Sequence, residues 1–149
     1  MTLATRTAPD PVRIAELGGR LGSALRERLA EVTGRLGLTF REYQCLDTLA
    51  DGPVTAGRIA AATRLSTGAV TGLLDRLERA GHVRRRKDRG DRRRVLVECT
   101  ATGASRLAAA RREVARLPDA VLAECTATEL RAAERCLSVW LAALPDEQP

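Results

Sequence analysis

The fold turns on residues 66–100, STGAVTGLLDRLERAGHVRRRKDRGDRRRVLVECT. Val70, Leu73, Leu74 and Leu77 recur at helical spacing and face one way, while Thr67, Gly68, Thr71, Asp75 and Arg76 take the other sides. Ser66 is placed to cap this helix, and Gly81 to end it in the left-handed conformation. Beyond it, His82 to Lys87 and Arg93 to Thr100 read as two strands around the polar turn Asp88-Arg89-Gly90-Asp91, with Val95, Val97 and Cys99 on a buried face. The stretch from Arg84 to Arg94 holds eight basic and two acidic residues, an excess of six that equals the net charge of the whole chain, +6. Two or three arginines guard a sheet edge against aggregation. This many around one turn point to an anionic partner.

Upstream, Thr55 caps a short helix from about Ala56 to Thr63 with Ile59 and Ala60 inward, followed by a sharp turn into the helix at Ser66. Two such helices form a helix-turn-helix, and the hairpin adds a wing. Thr39 and Glu42 have capping-box spacing at the start of a helix running to about Ala50, with Phe40, Tyr43, Leu46 and Leu49 inward and Asp51-Gly52-Pro53 as its stop. Before it, Asp10-Pro11 opens a long helix. Its apolar residues Ile14, Leu17, Leu21, Leu25, Leu29, Val32 and Leu36 make one stripe, and Gly37 ends it. So long a single-striped helix has too little of its own chain to pack on, which assigns part of the stripe to a subunit interface. After the wing, Thr100 caps a helix carrying Leu107, Val114 and Leu117, interrupted at Pro118. Thr126 and Glu129 then open a last helix with Leu130, Ala133, Leu137, Trp140, Leu141 and Leu144 on one stripe, stopping at Pro145.

A chain of 149 residues, 44% hydrophobic but only 2% aromatic, supports one mostly helical domain with an aliphatic core. Residues 1–10 read as a flexible tail, 38–100 as the winged unit, and 11–37 and 101–145 as flanking dimerisation helices. A pI near 10.1 set by one cluster favours nucleic acid as partner. The sequence carries no signal-peptide pattern, and its apolar run at residues 139–144 is too short to cross a bilayer, so a cytoplasmic protein without a membrane partner is expected. One histidine, His82, and four cysteines without CxxC spacing argue against a metal site, and none of the familiar nucleophile, P-loop or dinucleotide motifs is present. No cofactor and no enzymatic activity are expected. His82 is assigned to the wing base or to solvent.

The segments LTFREYQCLDTLADGPVT (38–55), RIAAATRLSTGAVTGLLDRLERAGHVRR (58–85) and DRGDRRRVLVECTATG (88–103) together resemble the multiple-antibiotic-resistance regulator (MarR) family of winged helix-turn-helix transcription factors. Similar proteins carry Asp-Pro-x-Asp-Arg-Arg in the wing; this chain has Arg89 in the proline position. The resemblance implies a homodimeric regulator, more often repressor than activator, bound to a near-palindromic operator in double-stranded DNA. It puts Ser66, Thr67, Gly68 and Thr71 at the major groove, Arg64 and Arg76 at phosphates, and the wing residues Arg89, Asp91, Arg92 and Arg93 at DNA. Arg93 would enter the minor groove, oriented by Asp91. Because Gly68, Ala69 and Gly72 have no reach, the wing and DNA shape are expected to carry much of the specificity.

The same resemblance implies a small-molecule effector site between the dimer helices and the winged unit, with Phe40, Tyr43, Arg28 and Arg41 as candidates. Some relatives sense oxidants through a thiol near the start of the first helix, where this chain has no cysteine. Cys45 and Cys136 are the remaining redox candidates, and both read more readily as buried hydrophobes. The alternative function is a thiol-based or ligand-binding switch acting mainly through a protein partner, its basic wing docked on an acidic surface.

Overall fold

The computed structural model describes residues 10–88, 90–91 and 93–143. Among them are seven helices, α1 (Pro11–Arg35), α2 (Phe40–Thr48), α3 (Ala56–Thr63), α4 (Thr67–Arg79), α5 (Ala101–Ala115), α6 (Leu117–Leu122) and α7 (Ala127–Ala143). Three short strands accompany them: β1 (Val54–Thr55), β2 (Val83–Lys87) and β3 (Val95–Cys99). The fold is mostly α with one small antiparallel sheet, as the sequence predicts.

Local chemistry sets the helix starts. Asp10 accepts the N–H of Val12 with Pro11 in the first turn, and Thr39 and Glu42 form the complete reciprocal capping box. Thr55, Ser66 and Thr100 cap α3, α4 and α5, and Thr126 with Glu129 repeats the box at α7. Three helix ends share one motif, in which a residue with positive φ lets the next N–H reach back five positions. Leu38 donates to the Thr33 carbonyl past Gly37, Leu65 to Ala60 past Arg64, and His82 to Leu77 past Gly81. The middle one uses arginine where the others use glycine.

The core joins Leu46 and Cys45 of α2, Ile59 of α3, Val70, Leu73, Leu74 and Leu77 of α4, Val83 and Val97 of the sheet, and Leu107 and Ala110 of α5. Each of its large aliphatic side chains contributes about 1.5–3 kcal/mol by leaving water. The order β1-β3-β2 places β3 centrally, pairing Val97 with Val54 on one side and with Arg85 on the other. The two-residue β1, which the sequence does not announce, ties the start of α3 to the wing. It is too short to show a period-two pattern.

Several expectations need correction. The wing strands are shorter than the sequence suggests: Arg93 and Arg94 belong to the turn, closed by the Asp88 N–H to the Arg94 carbonyl at 3.0 Å and the Arg94 N–H to the Asp91 carbonyl at 2.9 Å. Val95 is 49% exposed, so the apolar base of the wing is Val97, Val83 and half-buried Cys99 rather than Val95. Phe40 and Tyr43 are only half-buried, whereas Glu42, Thr33 and Thr63 are buried. The two threonines bury because their hydroxyls bond back to carbonyls in their own helices, Leu29 and Ile59. Apart from these corrections, no residue of α7 is fully buried within the chain, and the α1 stripe, part of which the sequence assigns to a subunit interface, is open at Leu17, Leu21 and Leu25. Gly18 of α1 makes room for the Trp140 ring of α7, which a Cβ there would meet at 3.0 Å. The tail at residues 1–9, and Leu144 and Pro145, lie outside the described residues.

Candidate nucleic-acid interface

The first turn of α4 is the outward end of the helix-turn-helix. Ser66, Thr67, Gly68, Ala69 and Thr71 are all exposed, while Val70, Leu73, Leu74 and Leu77 anchor the opposite face. The Ser66 hydroxyl accepts the Ala69 N–H, and the Thr71 hydroxyl donates to the Thr67 carbonyl at 3.1 Å. Thr71 thus spends its donor within the helix, whereas Ser66 accepts there and keeps its own hydrogen for a partner. Arg64, just before this turn, is exposed and left-handed, φ 51° and ψ 42°. Arg76 is half tethered: its Nε donates to Glu42 Oε1 at 3.2 Å, while the other oxygen of Glu42 caps α2 through the Thr39 N–H at 2.8 Å.

The wing sorts its charge along its length. At the base, Arg85 donates to Glu78 Oε2 at 2.6 Å and to Asp75 Oδ1 at 2.7 Å, both carboxylates projecting from α4. On the other face of β2, Arg84 and Arg86 both donate through Nε to Glu98 of β3. The sequence alone directs nearly all the hairpin's arginines outward to a partner; these three are instead held by acidic neighbours, a pairing invisible without the strand register. At the tip, Lys87, Arg93 and Arg94 have no acidic partner among the described residues. Asp91 accepts the backbone N–H of Arg93 at 3.0 Å, so it fixes the turn in which Arg93 sits rather than the guanidinium itself. Asp88 does the same for Gly90. Arg89 and Arg92 lie outside the described residues.

The other candidates are scattered. Phe40 and Tyr43 stack with ring centroids 6.3 Å apart. Phe40 also lines an open depression of about 410 Å³ with Ala30, Gly34, Gly37, Leu38 and Glu42. Tyr43 does not line it, Arg28 pairs with Glu31 on the surface of α1, and Arg41 donates to the Thr63 carbonyl at the end of α3. The four are not brought together around one cavity. Cys45 is fully buried, and burial pushes its thiol up to about 12, the reverse of a reactive thiolate. Cys136, expected in the interior, is exposed on α7 beside Arg135 and Trp140. His82 is half-buried at the wing base, its Nδ1 without a partner among the described residues. Among the described residues no cluster of metal-binding side chains exists and no helix is long and apolar enough to cross a membrane.

A helix-turn-helix braced by a basic hairpin defines a winged helix-turn-helix protein. A MarR-family sequence model matches residues 36–94. Over 46 residues, 31% of this chain, the sequence is 61% identical to an uncharacterized HTH-type transcriptional regulator, YcgE of Bacillus subtilis; the match spans 30% of that relative's own length. A MarR-family protein from Bacillus stearothermophilus superposes with a TM-score of 0.77 at 25% identity, covering 91% of this chain and 98% of that one. A single-site mutant of MarR from E. coli, crystallised in complex with operator DNA, superposes at 0.73 and 25% identity, covering 87% of this chain and 94% of that one. Residues 36–94 thus match the MarR family of transcriptional regulators, and the solved MarR-family structures share the fold of nearly the whole chain.

Proposed function

We propose that the protein is a homodimeric, sequence-specific DNA-binding transcriptional repressor that a small-molecule effector releases. The observation that carries this reading is the sorting of charge in the wing: cations without acidic partners among the described residues at the tip, Lys87, Arg93 and Arg94, on a hairpin clasped to the exposed helix α4. In this reading Ser66, Thr67, Gly68 and Thr71 approach the major groove, Arg64 and Arg76 reach phosphates, Arg89 and Arg92 also contact DNA, and Arg93 enters the minor groove from a turn that Asp91 holds. A narrow minor groove concentrates negative potential and attracts arginine. The relative crystallised with operator DNA lends the same direction.

Dimerisation is supported by the apolar surface left on the terminal helices: Leu17 and Leu21 of α1 and Leu137, Val139 and Leu141 of α7 are about half exposed or more. A two-fold partner would cover them and set two α4 helices one DNA turn apart on a near-palindrome. The depression beside Phe40 lies between α1 and α2, where a ligand would act on both the dimer helices and the winged unit. The burial of Cys45 disfavours a thiol switch in the winged unit.

Selection of bound duplexes from a random library, followed by titration of the winner at several salt concentrations, tests the proposal. A recovered inverted repeat is expected, with log affinity falling steeply against log salt by about 0.9 per neutralised phosphate. Recovery of no common sequence together with a flat salt response would overturn it.

A further inference from the structure

Glu98 stands where the wing's charge changes character. It lies directly across from Arg84 in the β2–β3 ladder and diagonal to Arg86, and its two carboxylate oxygens each take one guanidinium Nε, Arg86 at 2.7 Å and Arg84 closer still. The hydrogen bond from Arg86, then that from Arg84, hold its carboxyl below the usual carboxylate range, so it stays charged throughout the neutral range. The trio therefore carries one net positive charge instead of two. Both arginine stems are pinned to the outer face of the hairpin, opposite the Arg85 face that meets α4. An ordinary cross-strand pair needs one cation per carboxylate. Here one half-buried carboxylate restrains two cations that would otherwise be mobile on an edge strand.

We infer that Glu98 is a specificity determinant of the wing: it withholds Arg84 and Arg86 from DNA so that grip is confined to the tip around Arg93. This rests on the DNA-binding reading above. Affinity for any duplex rises with each phosphate neutralised, irrespective of sequence, so cations placed indiscriminately along the hairpin strengthen binding to all DNA alike. A built-in carboxylate limits that term and also repels phosphates that approach the base of the hairpin. Selectivity then depends on contacts that only the right groove shape permits.

The test uses full-length protein, a random-sequence 30-base-pair duplex and the duplex selected by the wild-type protein. Glu98→Gln keeps the shape and removes the charge. It is expected to bind the random duplex at least several-fold tighter, with a log–log salt slope steeper by up to about two, roughly 0.9 for each released arginine, and to gain less on the selected duplex. Adding Arg84→Ala and Arg86→Ala to that variant should abolish its gain on the random duplex and bring the salt slope back to that of the wild type or below it. Unaltered affinity and slope in Glu98→Gln would make Glu98 a purely structural strand residue and overturn the inference. Weaker binding would also overturn it, by showing that Glu98 presents the arginines to DNA. A wild-type protein that retains neither duplex at low salt fails at the underlying reading, an outcome distinct from a wild type that binds and a variant that does not differ.

Discussion

Arg85 and Glu78 make two hydrogen bonds to each other across the junction of wing and recognition helix: the Arg85 backbone N–H reaches Glu78 Oε1 at 3.1 Å and its guanidinium reaches Oε2 at 2.6 Å. Asp75, one helical turn earlier on α4, takes the remaining edge of the guanidinium. The clasp ties the wing to α4 through three hydrogen bonds from one residue.

Glu78→Ala should separate stability from DNA binding. The pair is partly exposed, and such pairs contribute about 0.2–1 kcal/mol, so the melting temperature should hardly move. Loosening the wing should cost operator affinity up to the ~1–3 kcal/mol that a specific groove contact carries. Calorimetry and a fluorescence anisotropy titration on the same preparation check both halves; a variant with normal affinity would show that the clasp does not position the wing.

Arg64 occupies a left-handed position that glycine fills at the ends of α1 and α4. A non-glycine residue there costs about 1–2 kcal/mol. Arg64→Gly should therefore raise stability in a denaturant titration, or leave it level. It should also weaken DNA binding and reduce the salt slope by about one if the arginine meets a phosphate. Gain of stability without loss of affinity would remove Arg64 from the interface.

Gly103 is the tightest packing point between α5 and the wing. A Cβ on it would lie 2.0 Å from the His82 carbonyl oxygen and 2.8 Å from Cys99 Sγ. The same carbonyl accepts the Thr100 N–H at 3.0 Å, so it cannot retreat without breaking the α5 cap region. Gly103→Ala should cost roughly 1–3 kcal/mol as an overpacking change. A wild-type unfolding midpoint in the variant would contradict this packing.

The cysteines should divide by exposure. In native protein at pH 8, iodoacetamide should modify Cys125 and Cys136 and spare Cys45, as read by peptide mass spectrometry. Because burial raises the folded Cys45 thiol above its unfolded value, its protonated form is favoured in the native state. Its contribution is fully present below about pH 8.5 and is lost as pH rises toward about 12. Between those limits the unfolded thiol gives up its proton and the folded one does not, so stability should decline with pH there. Prompt labelling of Cys45 in folded protein would place it outside the core.

Much of the winged unit was legible because its signals are local. Caps at Asp10, Thr39, Ser66, Thr100 and Thr126, the stop at Gly81, and the spacing of Val70, Leu73, Leu74 and Leu77 each depend on residues within a few positions. What escaped depends on register and on distant partners. The pairing of Arg84 and Arg86 with Glu98 requires knowing which β3 residue lies opposite, and Arg76 with Glu42 joins residues 34 positions apart. β1 exists only because β3 offers it an edge. The exposure of Cys136 follows from how little of its own chain lies against α7, which its place beside an apolar stripe does not reveal.

If α4 positions the protein on DNA while the wing tip supplies the grip, Arg93→Ala is the most direct test of that division. The substituted residue is exposed and its backbone N–H remains bonded to Asp91, so the turn should survive. Against the duplex selected by the wild-type protein, the dissociation constant should rise by the equivalent of about 1–3 kcal/mol. A dissociation constant equal to that of the wild type would contradict the account.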